Sequence, residues 1–295
     1  MANLRSLVKR RKAVRNIRKI TKTMELIATA RFKKALDRAT EADAYTRKIA
    51  ELAADLSQNA GEVSHPLLAV RPTVRKALVL VLTSNRGLCG GYNGGILREA
   101  QGALRKLTAT GTPYELEVSG KRGFTFFKFQ RQEISRTYFT FEDKPKFEEA
   151  DAVAQRYIDL YTSGQVDQVL VVYQKFFSAA RQTPVVETLL PLSGVSVETK
   201  STAAEPAGPK ADYEFLPSAE AILSELVPVA FKVRLFKCFL DAAVSEQIAR
   251  RVAMKAATEN AGDLIKSITR LYNRTRQANI TKEISELIAG SEALK

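Results

Sequence analysis

Two cysteines and one histidine in 295 residues exclude much chemistry at the outset. Cys89 and Cys238 give no disulfide framework, and with His65 they fall short of the four protein ligands of a usual structural zinc site. A Ser/His/Asp or Cys/His triad would have to run through His65, which stands in Ser64-His65-Pro66, a loop sequence. No apolar run approaches the about 18 residues of a membrane-spanning helix, and Met1–Arg10 has no apolar signal-peptide core. Neither GxxxxGK[ST] nor GxGxxG occurs, and the acidic residues form no paired-carboxylate pattern. Hydrophobic residues at 45% and charged residues at 26% are ordinary for a folded protein, which excludes wholesale disorder.

Acidic residues are scarce at the ends. Residues 1–38 hold 13 Lys+Arg against 2 Asp+Glu, and residues 229–295 hold 12 against 7. The stretch between them is close to neutral, with 21 against 23, although the whole chain carries +14. A basic end suits a partner of negative surface: nucleic acid, anionic lipid or an acidic protein groove. It also suits a solvated helix face.

Glycine and proline are absent from residues 3–57. Val14, Ile17, Ile20, Met24, Ile27, Phe32 and Ala35 recur at three or four residues, followed by Ile49, Leu52 and Leu56, which predicts one long helix with an apolar stripe. Toward the other end, Ile222, Leu226, Val229, Val233, Phe236, Leu240 and Ala243 step alternately by four and three. The alternation resumes through Met254, Ala257, Ala261, Leu264, Ile268, Leu271, Thr275 and Ala278. A heptad seam sustained that far predicts a coiled coil, and seams at both ends predict that the two helices pair. Gly262 is the only glycine or proline in 229–289, so the second helix should run on the order of 100 Å. Pro228 cannot donate to Ser224, which predicts a kink or a late helix start there.

The middle reads as an α/β domain. Lys76–Thr83 is a continuous β-branched and leucine run, as in a buried parallel strand. A glycine-rich turn from Ser84 to Gly95 follows, then a helix through Ile96, Leu97, Ala100, Leu104 and Leu107. Further strands are expected at 114–118, 134–141, 166–173 and 184–190, a turn at Gly120–Gly123 and a helix at 147–162. Alternating strands and helices imply a mostly parallel five-stranded sheet. Residues 193–211, rich in Ser, Thr, Ala, Glu, Pro and Gly, read as a flexible linker. The expected organisation is a helix over 1–60, an α/β domain over 74–192, a linker over 193–216 and a helix over 217–290.

Four segments carry a resemblance. They are Ile17-Arg-Lys-Ile-Thr-Lys-Thr-Met-Glu-Leu-Ile-Ala28, Thr83-Ser-Asn-Arg-Gly-Leu-Cys-Gly-Gly91, Ser245-Glu-Gln-Ile-Ala-Arg-Arg-Val-Ala-Met-Lys-Ala-Ala-Thr-Glu-Asn260 and Tyr272-Asn-Arg-Thr-Arg-Gln-Ala-Asn-Ile-Thr-Lys-Glu-Ile284. In order and spacing the chain resembles the γ subunits of bacterial F-type ATP synthases over essentially its whole length. The resemblance implies a long antiparallel coiled coil of the N- and C-terminal helices plus a Rossmann-like α/β domain. It implies a rotor shaft, with the coiled coil inside a ring of three α and three β subunits and the α/β domain against the ε subunit and the ring of c subunits. It implies no catalysis and no cofactor in this subunit, and a place on the cytoplasmic face of the inner membrane as a peripheral protein.

The resemblance also assigns residues. Met24 resembles the position where the N-terminal helix faces a β-subunit loop, and Arg86 an arginine that meets the acidic lever segment of β. Arg250 resembles a residue important for coupling. Arg276 and Gln277 resemble a pair gripped by a β-subunit catch loop, and Thr281 and Glu283 resemble coupling positions one turn further. Each has a plainer reading: a seam methionine, a solvated turn arginine, an exposed helix charge, capping or seam filling. Glu292 and Lys295 replace the small or apolar residues usual at the family's tip, so that tip is expected to be displaced or partly disordered. The linker has no cysteine, so thiol control is not expected. Two rival readings are a basic coiled-coil protein that binds nucleic acid and a nucleotide-dependent enzyme. The first lacks base-reading side chains and a DNA-binding module; the second lacks a phosphate loop.

Overall fold

The structure is a computed structural model that describes residues 4–59, 65–69, 71–141, 144–192 and 219–292. The expected linker at 193–216 and Lys295 lie outside the described residues. Contacts divide the chain into two compact units, one of residues 1–30 with 250–295 and one of residues 31–249. Helix α1 (Leu4–Asn59) and helix α5 (Ala219–Glu292) each contribute to both.

In the first unit the segments of α1 and α5 pair antiparallel. The Thr258 hydroxyl donates to that of Thr21 at 2.9 Å, and further along, the Arg11 guanidinium lies 5.2 Å from the centre of the Tyr272 ring. Val14, Ala261 and Ile268 form the buried cluster between these levels. The seam is a single heptad column on each helix. Along α1 the buried residues of this unit are Leu7, Val14, Thr21 and Ala28. Along α5 they include Met254, Ala261 and Ile268. Small Ala and Thr side chains allow close helix approach, and the Thr–Thr bond supplies a polar layer that fixes register.

This corrects the expected stripes. Val14 packs against α5 in this unit and Ala35 does so in the second, but Ile17, Ile20 and Ile27 are about half exposed. Met254, Ala261 and Ile268 are buried, whereas Leu264 and Leu271 from the alternate column are open. A two-helix coil of large residues buries both columns; here the small seam residues leave the second column facing outward.

The second unit is built on a five-stranded sheet of order β3-β2-β1-β4-β5. Strands β1 (Ala77–Leu82), β2 (Tyr114–Ser119) and β3 (Arg136–Tyr138) run parallel with β4 (Gln168–Phe176), and β5 (Gln182–Leu190) is antiparallel at the edge. Every residue of β1 is buried, which is why its sequence does not alternate. Helices α2 (Tyr92–Ala109) and α3 (Lys121–Phe129) cover one face. The other face is covered by α4 (Phe147–Thr162) and the α5 segment with Val227, Phe231, Leu235, Cys238, Phe239 and Ala242. The remaining side of that α5 segment packs on α1 through Ala35, Ala39, Leu240, Val244 and Ile248.

Two expectations are corrected. Gly120–Gly123 is not only a turn but opens α3. Gly120 has φ +96° and its absent Cβ would land on the Thr83 carbonyl; a Cβ on Gly123 would come 2.7 Å from the Thr83 hydroxyl. The two glycines let α3 start against the end of β1. Pro228 does not set a late helix start, because α5 begins at Ala219 and passes through it. Val227 and Phe231 on either side are fully buried, and that burial offsets the lost backbone bond.

Gly120→Ala is expected to destabilise the protein by roughly 2–3 kcal/mol, because it adds both backbone strain and a clash. Gly91→Ala, whose Cβ meets nothing within 4 Å, should stay within about 0.5 kcal/mol. Urea unfolding of the two variants checks the contrast; equal midpoints would contradict it.

Candidate functional site

The glycine-rich turn after β1 is the first place to look for chemistry, and its polar groups are spent on itself. The Ser84 N–H donates to Asn93 Oδ1 at 3.0 Å, and its hydroxyl donates to the Arg86 carbonyl at 2.7 Å. The Asn93 amide donates to Ser84 Oγ at 2.8 Å and to Cys89 Sγ at 3.2 Å. Asn85 donates to the Phe139 and Phe141 carbonyls and accepts from the Lys121 N–H at 3.1 Å. Thr83 Oγ1 donates to the Ser119 carbonyl and accepts from the Gly123 N–H. Thr83-Ser84-Asn85 is therefore a structural lock. It holds a rigid loop with Arg86 exposed and Leu88 59% exposed at φ +66°. An exposed leucine in the left-handed region is a strained presentation of an apolar side chain.

Two buried carboxylates are also consumed. Glu117, on β2 and 1% exposed, accepts from the Tyr138 and Tyr157 hydroxyls at 2.9 and 2.7 Å and from Arg156. Burial, then the Glu117 charge, pushes Tyr138 up to about 12 and Tyr157 well above its ordinary value. Such tyrosines stay protonated and hold β2, β3 and α4 together. Asp167 bonds Arg71 and the Arg75 N–H, the latter at 2.7 Å. Burial opposes its ionisation, but those bonds prevail and hold the carboxyl below the usual range. His65 accepts the Leu67 N–H on Nδ1 at 3.1 Å and so closes a turn. No group of three or more metal-ligating side chains occurs among the described residues.

The residues singled out by resemblance fall in both units. Arg86 is in the second, at the exposed loop just described. Met24 is half-buried on α1 and Arg250 is 7% exposed on α5, so the plain reading of Arg250 as an exposed helix charge does not hold. Arg276, Gln277, Thr281 and Glu283 are all exposed within two turns of α5, where the Thr281 hydroxyl donates to the Gln277 carbonyl at 3.0 Å. Glu292 is exposed at the end of that helix.

A feature that the sequence pattern concealed is the apolar surface of the first unit. Ile17, Ile20, Leu26 and Ile27 on α1, with Leu264 and Leu271 on α5, are 40–59% exposed. Ile280, Ile284, Leu287 and Ile288 continue it to the end of α5. Large exposed apolar stripes beside basic residues mark a surface made for protein partners. The clue in the sequence was an excess of apolar positions over what one two-helix seam can bury.

Known proteins agree with this arrangement. By fold, the chain is similar to the rotor of the Euglena gracilis mitochondrial ATP synthase in rotational state 1. The TM-score is 0.62 at 17% identity, over 94% of this chain and 98% of that one. A second structure of that synthase, covering OSCP, F1 and the c-ring, gives a TM-score of 0.64 at 17% identity, over 99% and 94%. The family model described as ATP synthase matches residues 3–294. The chain is 52% identical, over the whole of both chains, to the ATP synthase gamma chain of Rhodopirellula baltica. It is 40% identical, again over the whole of both, to that of Leptospira biflexa. The chain belongs to the ATP synthase gamma chain family. No helix among the described residues is long and apolar enough to cross a membrane.

The open stripe predicts that the purified chain binds an apolar dye and self-associates as concentration rises. Replacing Leu287 and Ile288 by Gln should reduce both effects without altering the helical circular dichroism. Unchanged dye binding would show that the stripe is not the exposed surface in solution.

Proposed function

We propose that the chain is the central rotor shaft of an F1Fo ATP synthase. It couples ion-driven rotation of the c-ring to sequential conformational changes of three catalytic β subunits, making ATP or, in reverse, hydrolysing it. The observation that carries this reading is the pair of long helices whose second apolar column remains open. A two-helix coil with no partner would bury that column or replace it by polar residues. A shaft turning inside a ring of α and β subunits needs it as a contact surface.

The mechanism is a shift of populations. Each β subunit has several nucleotide-binding states, and the shaft presents a different face to each. Its contacts differ in free energy between the states, and that difference drives the change. Moving a two-state equilibrium from 1:99 to 99:1 takes about 5.5 kcal/mol of differential contact. Several contacts can share this. Arg276, Gln277, Thr281 and Glu283 would meet a β-subunit loop, Met24 a second, and Arg86 the acidic lever segment, with Arg250 supporting coupling. The basic surface of α1 suits acidic β-subunit segments.

The chain itself is non-catalytic in this reading, without cofactor, nucleotide or nucleic acid. The spent hydrogen bonds of the glycine-rich loop support that. The α/β domain would rest on the ε subunit and the c-ring, at the cytoplasmic face of the bacterial inner membrane.

Tagged protein drawn from detergent-solubilised native membranes should bring down ATPase-active α and β subunits together with ε; recovery of nucleic acid or of no partner would contradict the proposal. In the assembled complex Gln277→Leu is expected to lower ATP synthesis about tenfold, the effect of about 1.4 kcal/mol of lost differential contact. Synthesis at the wild-type rate would remove Gln277 from the mechanism.

A further inference from the structure

On the rotor reading, rotation delivered to the α/β domain must reach α5, which continues unbroken to Glu292. In the second unit most of the contact between α5 and the sheet is apolar. Phe239 stacks on Phe141 with ring centres 4.0 Å apart, and Phe231, Leu235, Cys238 and Ala242 join the same core. Apolar burial resists separation but has no direction. Two polar contacts in this interface have a defined direction: the Ser245 hydroxyl donates to the Gln174 carbonyl of β4 at 3.2 Å, and a charged fork is the stronger. Arg234 on α5 donates from Nε and Nη2 to Glu187 Oε1 at 3.0 and 2.8 Å.

Glu187 is built to be gripped. It sits on β5 opposite Val171 of β4. Its other oxygen accepts the Tyr173 hydroxyl at 2.7 Å, and Lys175 Nζ lies 3.8 Å away. Both bracing residues come from β4, so the carboxylate is fixed to two paired strands before the guanidinium reaches it. Burial opposes its ionisation, yet the Tyr173 and Arg234 hydrogen bonds hold its carboxyl below the ordinary range. A second tether, Lys232 Nζ to Asp151 Oδ1 at 2.9 Å, joins α5 to α4 two residues earlier. A shift of α5 by one residue, about 1.5 Å along and 100° around its axis, would break the fork.

We propose that the Glu187–Arg234 fork is the torque-carrying junction between the α/β sheet and helix α5. Neither residue meets nucleotide or a β subunit in this account. They are positioning residues that keep the helix from turning or sliding within its apolar seat under load. A loosened seat lets ATP hydrolysis continue while rotation of the helix is transmitted incompletely.

The test uses the whole synthase in inverted membrane vesicles, reading ATP hydrolysis and ATP-driven ion uptake on the same preparation. Arg234→Met is expected to leave hydrolysis per assembled complex within about twofold, while ion uptake per ATP falls by at least about fivefold. Arg234→Lys, which keeps the charge without the fork, should lie between. A residue that only stabilises the fold would lower the amount of assembled complex and leave uptake per ATP unchanged; that result would overturn the proposal. If Arg234→Met does not assemble, Glu187→Gln, which keeps size and shape, carries the same criterion. Failure of the wild-type chain to assemble or to support uptake would instead sink the rotor reading on which this inference rests.

Discussion

Between Val227 and Ile248, helix α5 satisfies two apolar surfaces at once. One side completes the sheet core through Phe231, Leu235 and Phe239, and the other meets Ala35 and Ala39 of α1 through Leu240, Val244 and Ile248. From Cys238 to Ile248 every residue but Glu246 is buried, including Asp241, Ser245 and Gln247. Sheet core and helix pair therefore share one helical segment, and neither the α/β layer nor the helix pair of this unit is complete without it. The tolerance of Pro228 follows: a lost backbone bond is small beside the burial of the residues that flank it.

The same segment separates two kinds of packing. Where α5 lies on the sheet it uses large aromatic and aliphatic side chains, and it adds directional polar grips. Where α1 and α5 pair in the first unit, Thr21, Ala28 and Ala261 share the seam with Val14, Met254 and Ile268, and a second set of large residues, Ile17, Ile20, Leu264 and Leu271 among them, faces outward. A helix pair that closes its seam and still keeps large apolar residues on the outside is arranged to be surrounded. This is the physical content of a shaft: the seam holds the two helices together while the outer columns provide differential contacts to its neighbours.

Much of this was legible in the sequence. The absence of glycine and proline over 3–57 gave the first helix, the all-apolar Ala77–Leu82 run gave a central strand, and 147–162 matched a helix at both ends. What failed did so for identifiable reasons. Helix α3 was hidden because its nine residues are short and rich in phenylalanine, and its two early glycines read as a turn until Thr83 is placed beside them. The seam of α1 departs from the apolar stripe because size does not decide burial there: Thr21 and Ala28 are buried and Ile20 is not. The Glu117 and Glu187 clusters could not be seen at all, since their members come from separate elements and meet only in the fold. The loop motif Thr83-Ser84-Asn85 was visible, but its role as a hydrogen-bonded lock was not.

A rotor shaft must turn within its ring. Cys89 and Cys238 are both buried, so a cysteine placed at the fully open Phe129 offers one accessible thiol for a probe. With the α and β subunits held to a surface and ATP supplied, the account predicts stepwise rotation of that probe in one direction, with a dwell for each β subunit. ATP hydrolysis with a stationary probe would contradict it.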